Sequence, residues 1–336
     1  MPAFDLAVLL AAFEPFHLAH RAALEHAYAA AERVLVLIGS AGAARTLRHP
    51  WTVEERLAMV HAGARGLGSS ALSAASVPDH LYDAGRWTQA VAGAVAAAAP
   101  NARRITQIFW TASPECTPLL PGWTPQAVHA PAVPGFWEVR RGVFGDDPAV
   151  RAQLEAALPP STRSFLASYR TGPHFAALAD ELRYIERFRD SWRAAPYPPI
   201  LVTTDAVVVH EAHLLLVRRA RPPGKHLWAL PGGFVDQDET LLEGCLRELQ
   251  EETGLALPAT AMQRALRAQR VFDAPHRSLR GRTITHVFRF DLGGARPPVQ
   301  AGDDAAEAQW APLAGFEHMQ ADMFEDHYHI AQRMLE

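Results

Sequence analysis

A chain of 336 residues has room for two domains at roughly 150 residues each, and 49% apolar with 20% charged residues can bury a core in both. Its net charge of −4 offers no basic footprint for nucleic acid or an anionic membrane. Two distant cysteines (Cys116 and Cys245), an opening MPAFDLAVLL without a basic n-region, and the lack of any apolar run of membrane length point to the reducing cytoplasm.

Phe4–Ala11 predicts a buried strand, followed by Phe13-Glu14-Pro15-Phe16-His17-Leu18-Ala19-His20 and an alanine-rich helix to about Glu32. Strands at Arg33–Ile38, Leu72–Val77 and Ile105–Trp110 alternate with helices at Thr52–Ala64 and Trp87–Ala98. This alternation implies a doubly wound parallel α/β sheet, with ligands at the carboxyl ends of its strands. His17 and His20 fall there, at the start of a helix whose N–H groups and dipole favour phosphate. Taken alone, two histidines so spaced are better explained by helix capping or incidental exposure.

From Asp147 to Trp192 the pattern is helical, broken at Pro159-Pro160 and Gly172-Pro173. The stiff Ala194-Ala195-Pro196-Tyr197-Pro198-Pro199 stretch then divides the chain into domains at 1–193 and 194–336. Beyond it, Ile200–Val209 and His213–Arg219 predict a hairpin, Thr283–Leu292 another strand, and Ala321–Leu335 a terminal helix.

Between these lies LPGGFVDQDETLLEGCLRELQEETGL, Leu230 to Leu255. Thr240 and Glu243 have capping-box spacing, and Gly254 stands where a left-handed residue ends a helix. Leu242, Leu246 and Leu249 form a core-facing stripe, with Glu248, Glu251 and Glu252 gathered on a neighbouring side. Glutamate runs are usually solvated faces. Here, though, three carboxylates repel one another and oppose the negative end of the helix dipole. A divalent cation would reverse that cost, because hard ions such as Mg²⁺ prefer oxygen ligands and bridge them to phosphates.

Two resemblances extend this reading. The segments AFEPFHLAH, GSAGAARTLRHPWTVEER and PDHLYDAGRW resemble the nucleotidylyltransferases that adenylylate nicotinamide mononucleotide (NMN). The likeness implies a Rossmann-like nucleotidylyltransferase domain over roughly the first 150 residues, with ATP and NMN as its ligands and His17, His20 and Arg140 as its nucleotide-binding residues. Several places depart from the family pattern G-R-F-Q-P-F-H-x-G-H. Ala11 and Ala12 replace its glycine and arginine, Glu14 its glutamine, and Ala19 the glycine between the histidines. Phe109-Trp110-Thr111-Ala112-Ser113 stands for G-H-x-K-D, and Gly135–Arg140 for I-S-x-T-x-I-R. Lost cations and an added anion predict a poor or inactive adenylyltransferase.

Gly233, then Glu239, then Arg247-Glu248-Leu249-Gln250-Glu251-Glu252-Thr253-Gly254-Leu255 match, without a mismatch, the box of the Nudix hydrolases. The resemblance implies an α/β/α sandwich and hydrolysis of a P–O–P linkage. It makes Glu248, Glu251 and Glu252 the ligands of Mg²⁺ (or Mn²⁺), with Arg247 holding a box carboxylate and Glu239 supporting the loop. Gly244 leaves room for substrate or permits close helix packing. The run Arg270–Thr283 resembles ADP-ribose pyrophosphatases fused to NMN adenylyltransferase domains, as do LVTTDAVVV and Glu325-Asp326-His327. In that reading Phe272 receives a base, and Arg277, Arg280 and Arg282 bind phosphate. His327 and His329 read as surface polarity, and the general base is a box glutamate or an acid of Asp303–Glu307.

The expected protein is therefore an ADP-ribose diphosphatase fused to an adenylyltransferase-like domain, its oligomeric state open. One alternative is full bifunctionality. Another is an ADP-ribose sensor that controls transcription, which needs a DNA-binding module that the stretch after Trp310 does not accommodate.

Overall fold

The computed structural model describes residues 2–68, 72–110 and 120–336. The chain forms two compact units, Met1–Leu182 and Arg183–Glu336.

In the first, β1 (Phe4–Ala11), α1 (Leu18–Ala30), β2 (Ala31–Ala41), α2 (Val53–Gly63), β3 (Leu72–Pro78), α3 (Ala84–Ala98), β4 (Ile105–Trp110) and β5 (Thr124–Val128) alternate along the chain. The strands pair in parallel in the order β3-β2-β1-β4-β5. Central β1 is a near-continuous apolar run, as a strand covered on both faces must be. On one face Leu6, Val8, Leu10, Leu35 and Leu37 pack with Val91 and Val95 of α3. The winding reverses between β1 and β4, so the crevice that can hold a ligand opens at their carboxyl ends. β5 has no counterpart in the sequence reading; its Pro125 and mostly exposed pattern mark an edge strand.

Four helices follow, α4 (Phe136–Phe144), α5 (Pro148–Ala156), α6 (Pro160–Tyr169) and α7 (Phe175–Ser191). The boundary between the units falls inside α7, ahead of the proline-rich stretch. Within the second unit, Phe188 near the end of that helix stacks on Phe234 at 5.9 Å.

The second unit comprises β6 (Leu201–His210), β7 (His213–Arg219), β8 (Trp228–Ala229), β9 (Gly232–Phe234), α8 (Leu241–Thr253), α9 (Ala259–Ala265), β10 (Leu266–Phe272), β11 (Thr283–Leu292), β12 (Ala305–Pro312) and α10 (His327–Leu335). Its main sheet runs β10-β11-β6-β7-β12, with β8 paired to β7 and β9 to β6. β6 and β7 form the expected antiparallel hairpin, turning at Glu211. Alternation along β11 separates the two layers. Phe288 and Phe290 enter the cluster under α8, whereas the intervening Arg289 donates to the Met334 carbonyl of α10 at 2.9 Å. The sandwich is thus real.

Three expectations need correction. The terminal helix starts at His327, because Leu313–His318 and Gln320–Asp322 are separate 3-10 turns. Arg270, Val271 and Phe272 lie in a strand that the sequence reading did not include among its elements. Ala305–Glu307 likewise belongs to a strand. No helix among the described residues is long and apolar enough to cross a membrane.

Helix α8 carries the caps that its sequence predicts. Thr240 and Glu243 form the reciprocal box, and Gly254 ends the helix at φ 65°. Gly254→Ala should lower stability by about 1–2 kcal/mol, the cost of a left-handed non-glycine residue, as read from urea unfolding with fold and box intact.

Candidate active site

Helix α8 faces the turn that contains β9, and one guanidinium joins them. Arg247 donates through Nε and Nη2 to the two oxygens of Glu239, at 3.0 and 2.7 Å. Its Nη1 bridges Glu248 and Glu251 at 2.9 and 3.0 Å, and Nη2 also reaches the Phe234 carbonyl at 3.1 Å. Glu239 in turn accepts the Asp236 amide at 2.8 Å, and these bonds hold its carboxyl down to about 2. The predicted supporting pair is present, with more partners than the spacing implied.

The glycines explain how the helix approaches so closely. A Cβ on Gly233 would lie 2.5 Å from Glu248 Oε1, and one on Gly244 would lie 2.7 Å from Glu239 Oε1. Gly244 therefore makes room for Glu239, which resolves the choice between substrate space and packing. Gly232, which a Cβ would push to 2.2 Å from the Thr204 carbonyl, donates its amide to Glu252 Oε2 at 3.0 Å.

Glu252 is buried, and burial raises its carboxyl well above the usual range, with Asp304 and Glu248 adding to the effect. Burial raises Glu248 too, against the pull of Arg247. Glu251 is more open, its side chain 46% exposed. As they stand, no three His, Cys, Asp or Glu side chains among the described residues are gathered tightly enough to hold a metal ion. The donor chemistry nevertheless fits one. Asp304 and Glu248 add to the cost of ionising the buried Glu252, a cost that a divalent cation would remove, and a cationic Nη1 already sits between Glu248 and Glu251.

The arginine-rich segment departs from expectation. Phe272 is buried, so it offers no free face to a base. Arg277 is buried in a bidentate pair with Asp326, at 2.9 and 2.8 Å, and does not reach toward phosphate. Arg282 turns back on its own loop, donating to the Asp273 carbonyl. Arg280 stays over the Phe234 ring at 5.1 Å. His327 and His329 are buried, not surface groups; His327 Nδ1 accepts the Leu230 amide at 3.1 Å and braces the entry to the box. The sequence reading gave no role to Arg219, and it named Asp326 only within a segment that carries the resemblance. Asp326 could have been suspected as a partner for a buried arginine, but Arg219 lies outside the box and had no local signal.

In the first unit, His17 caps α1, and the two histidines cap each other. His20 Nδ1 accepts the His17 amide at 3.1 Å, and His17 Nδ1 accepts that of His20 at 3.3 Å. Their rings stack at 3.6 Å and meet Trp110 edge-on. Burial takes the His17 imidazole down to about 3 and His20 well below its usual range, so both are neutral acceptors. Arg140 is buried, paired with Glu14 at 3.0 Å, and donates to the Leu47, Glu14 and Arg48 carbonyls. His49 and Arg56 also face Glu14; burial opposes ionisation of that carboxyl, but His49, Arg140 and Arg56 together outweigh it and hold it below the usual range. Thr111, Ala112 and Ser113 lie outside the described residues.

Comparison with known proteins agrees with this division. A NUDIX domain model matches residues 200–334, and a cytidylyltransferase-like model matches residues 9–67. The ADP-ribose pyrophosphatase of Methanocaldococcus jannaschii is 36% identical over 122 residues, which cover 35% of this chain and 68% of that protein. The chain belongs to the Nudix family. Its whole length is similar to a bifunctional NMN adenylyltransferase/ADP ribose pyrophosphatase from Francisella tularensis, crystallised with AMP and a Mn ion. That match has a TM-score of 0.88 and 30% identity, and covers 99% of this chain and 98% of the other. The Nudix part is also 28% identical over 154 residues to an ADPR-responsive transcriptional repressor of Acinetobacter baylyi, covering 44% of this chain and 58% of the repressor.

The buried pair yields a test. Arg277→Ala removes the bidentate partner of a buried carboxylate and should cost about 3–5 kcal/mol. The double variant Arg277→Met, Asp326→Leu should recover most of it in chemical unfolding. Unchanged stability in the single variant would contradict the burial of the pair.

Proposed function

We propose that the Nudix domain is a cytoplasmic Mg²⁺-dependent ADP-ribose diphosphatase, releasing AMP and ribose 5-phosphate. The observation that carries this reading is the Arg247 clamp, one guanidinium that gathers Glu239, Glu248 and Glu251, with Glu252 held on the Gly232 amide. A bound divalent cation supplies charge neutralisation at phosphate oxygens and acidifies water. Glu248, Glu251 and Glu252 would hold it. The Gly232 amide orients Glu252, and Arg247 keeps Glu248 and Glu251 on one side of the helix. A box glutamate or Asp304 can take the proton of the attacking water. Water adds its oxygen to one phosphorus, and the bridging P–O bond breaks. The identity of ADP-ribose as substrate is supported by the names of the Methanocaldococcus and Francisella relatives. The repressor relative favours a sensing role instead, and turnover separates the two readings.

Glu252→Gln and Glu251→Gln should each lower ADP-ribose turnover by about 100-fold or more, with the fold unchanged, since a metal's contribution amounts to several kcal/mol. Full activity in both variants would remove the metal assignment.

The first unit we read as a poor or inactive adenylyltransferase, because Glu14 ties up Arg140, Arg56 and His49, and the two histidines are committed to capping. Full bifunctionality is favoured by the whole-chain match to the Francisella protein. Formation of NAD from NMN and ATP should run below about one hundredth of the ADP-ribose rate, since each missing cation costs a few kcal/mol of barrier. Comparable rates, abolished by His20→Ala, would establish bifunctionality.

A further inference from the structure

The stretch that leads into the box has a partner far along the chain. Trp228 bridges Met323 in parallel, and the Phe324 amide donates to the Trp228 carbonyl at 2.8 Å. Phe324 is held from two sides. A Cβ on Gly224, at φ 69°, would stand 2.1 Å from its ring, and the Arg219 guanidinium lies over that ring at 4.3 Å. A parallel ladder continued by one rung would offer the Leu230 amide the carbonyl of Phe324. The chain turns instead. Glu325 is left-handed at φ 43°, and the Phe324 carbonyl accepts the His327 amide at 3.0 Å. His327 then supplies the missing rung from its side chain, Nδ1 accepting the Leu230 amide at 3.1 Å.

Leu230 and His327 are both buried, so an amide without this acceptor would go unpaired. Burial also holds the imidazole below its usual range, which keeps Nδ1 an acceptor. Asp326, the preceding residue, takes both bonds from Arg277 and begins α10, so the ring is fixed through its own backbone. Two residues on from Leu230, the Gly232 amide donates to Glu252 Oε2 at 3.0 Å. Little between them can give. Pro231 has its φ fixed by its ring and its carbonyl on the Ala206 amide at 2.8 Å. Gly232 lies so close to β6 that a Cβ would meet the Thr204 carbonyl at 2.2 Å. A shift of the Leu230 amide therefore reaches the Gly232 amide.

We propose that His327 is a positioning residue for Glu252: through Leu230-Pro231-Gly232 it aims the amide that holds this buried carboxylate, and so governs divalent-cation affinity and turnover but not the binding of ADP-ribose. The assignment rests on the reading of Glu252 as a metal ligand in a diphosphatase.

The test compares full-length His327→Leu, which fills space without an acceptor, with His327→Asn, whose Oδ1 can stand near the Nδ1 position. His327→Leu should weaken Mn²⁺ binding in calorimetric titration by about tenfold or more and lower kcat to a similar degree, as loss of an outer-shell support does. KM should stay within about threefold of wild type, and His327→Asn should bring Mn²⁺ affinity and kcat back within about threefold. Hydrogen exchange at the Leu230 and Gly232 amides should quicken in His327→Leu and not in His327→Asn. In a Glu252→Gln background the leucine change should add little, because residues that act as one unit are not additive. Thermal unfolding checks the fold, and if His327→Leu does not fold, His327→Gln, whose oxygen lies one bond too far out, takes its place. Unchanged Mn²⁺ affinity and kcat in the folded acceptor-free variant, equal losses in His327→Asn, or losses that add to those of Glu252→Gln overturn the proposal. Mn²⁺ binding that depends on His327 without ADP-ribose turnover in wild type would uphold it and reject the ADP-ribose reading alone.

Discussion

The Nudix half depends on one guanidinium. Arg247 lies within the helix whose carboxylates it gathers, and it ties that helix to the Gly232–Phe234 turn through Glu239 and a backbone carbonyl. Without it, Glu248 and Glu251 would repel each other at a helix terminus that already disfavours negative charge. With it, three carboxylates share one cation and stay within reach of one another. The cost is accepted locally and offset by geometry. Glycines at 233 and 244 let the carboxyl groups stand where any Cβ would strike them.

The same kind of interaction has a different consequence in the first unit. There a single carboxylate, Glu14, is surrounded by Arg56, Arg140 and His49. The arginines spend their remaining donors on backbone carbonyls, and the network fills the crevice end of the sheet from inside. A network satisfied by the protein has little left for a ligand. In the Nudix unit, by contrast, Arg219 and Arg280 retain donors. Satisfaction distinguishes a structural cluster from a site ready to bind.

The fold was legible where local pattern and tertiary outcome agree. Alternating strands and helices gave the doubly wound sheet, and the capping residues Thr240 and Gly254 bounded α8 as their chemistry requires. The edge strands β5 and β12 were not legible. Edge pairing demands little of composition, and Pro125 or a run of alanines gives no period to read. The fate of the arginine-rich segment was illegible for another reason. Arg277, Arg280 and Arg282 look alike in one dimension, but Asp326 lies far along the chain, and only folding brings it to Arg277.

The sequence by itself determined the chemistry: a box of carboxylates with one arginine, in a register that few other functions require, and a first domain whose phosphate-binding residues were altered. Spacing along a helix is fixed by covalent geometry, so residues one turn apart must share a face whatever the rest of the chain does. Tertiary structure alone decided which charges are spent and which are free. That choice depends on partners distant in sequence, such as Asp326 for Arg277 and Glu14 for Arg140, and on rings such as Phe324 that hold Arg219 flat. Whether a guanidinium finds a carboxylate, a carbonyl or open solvent is set by packing, and packing is not local.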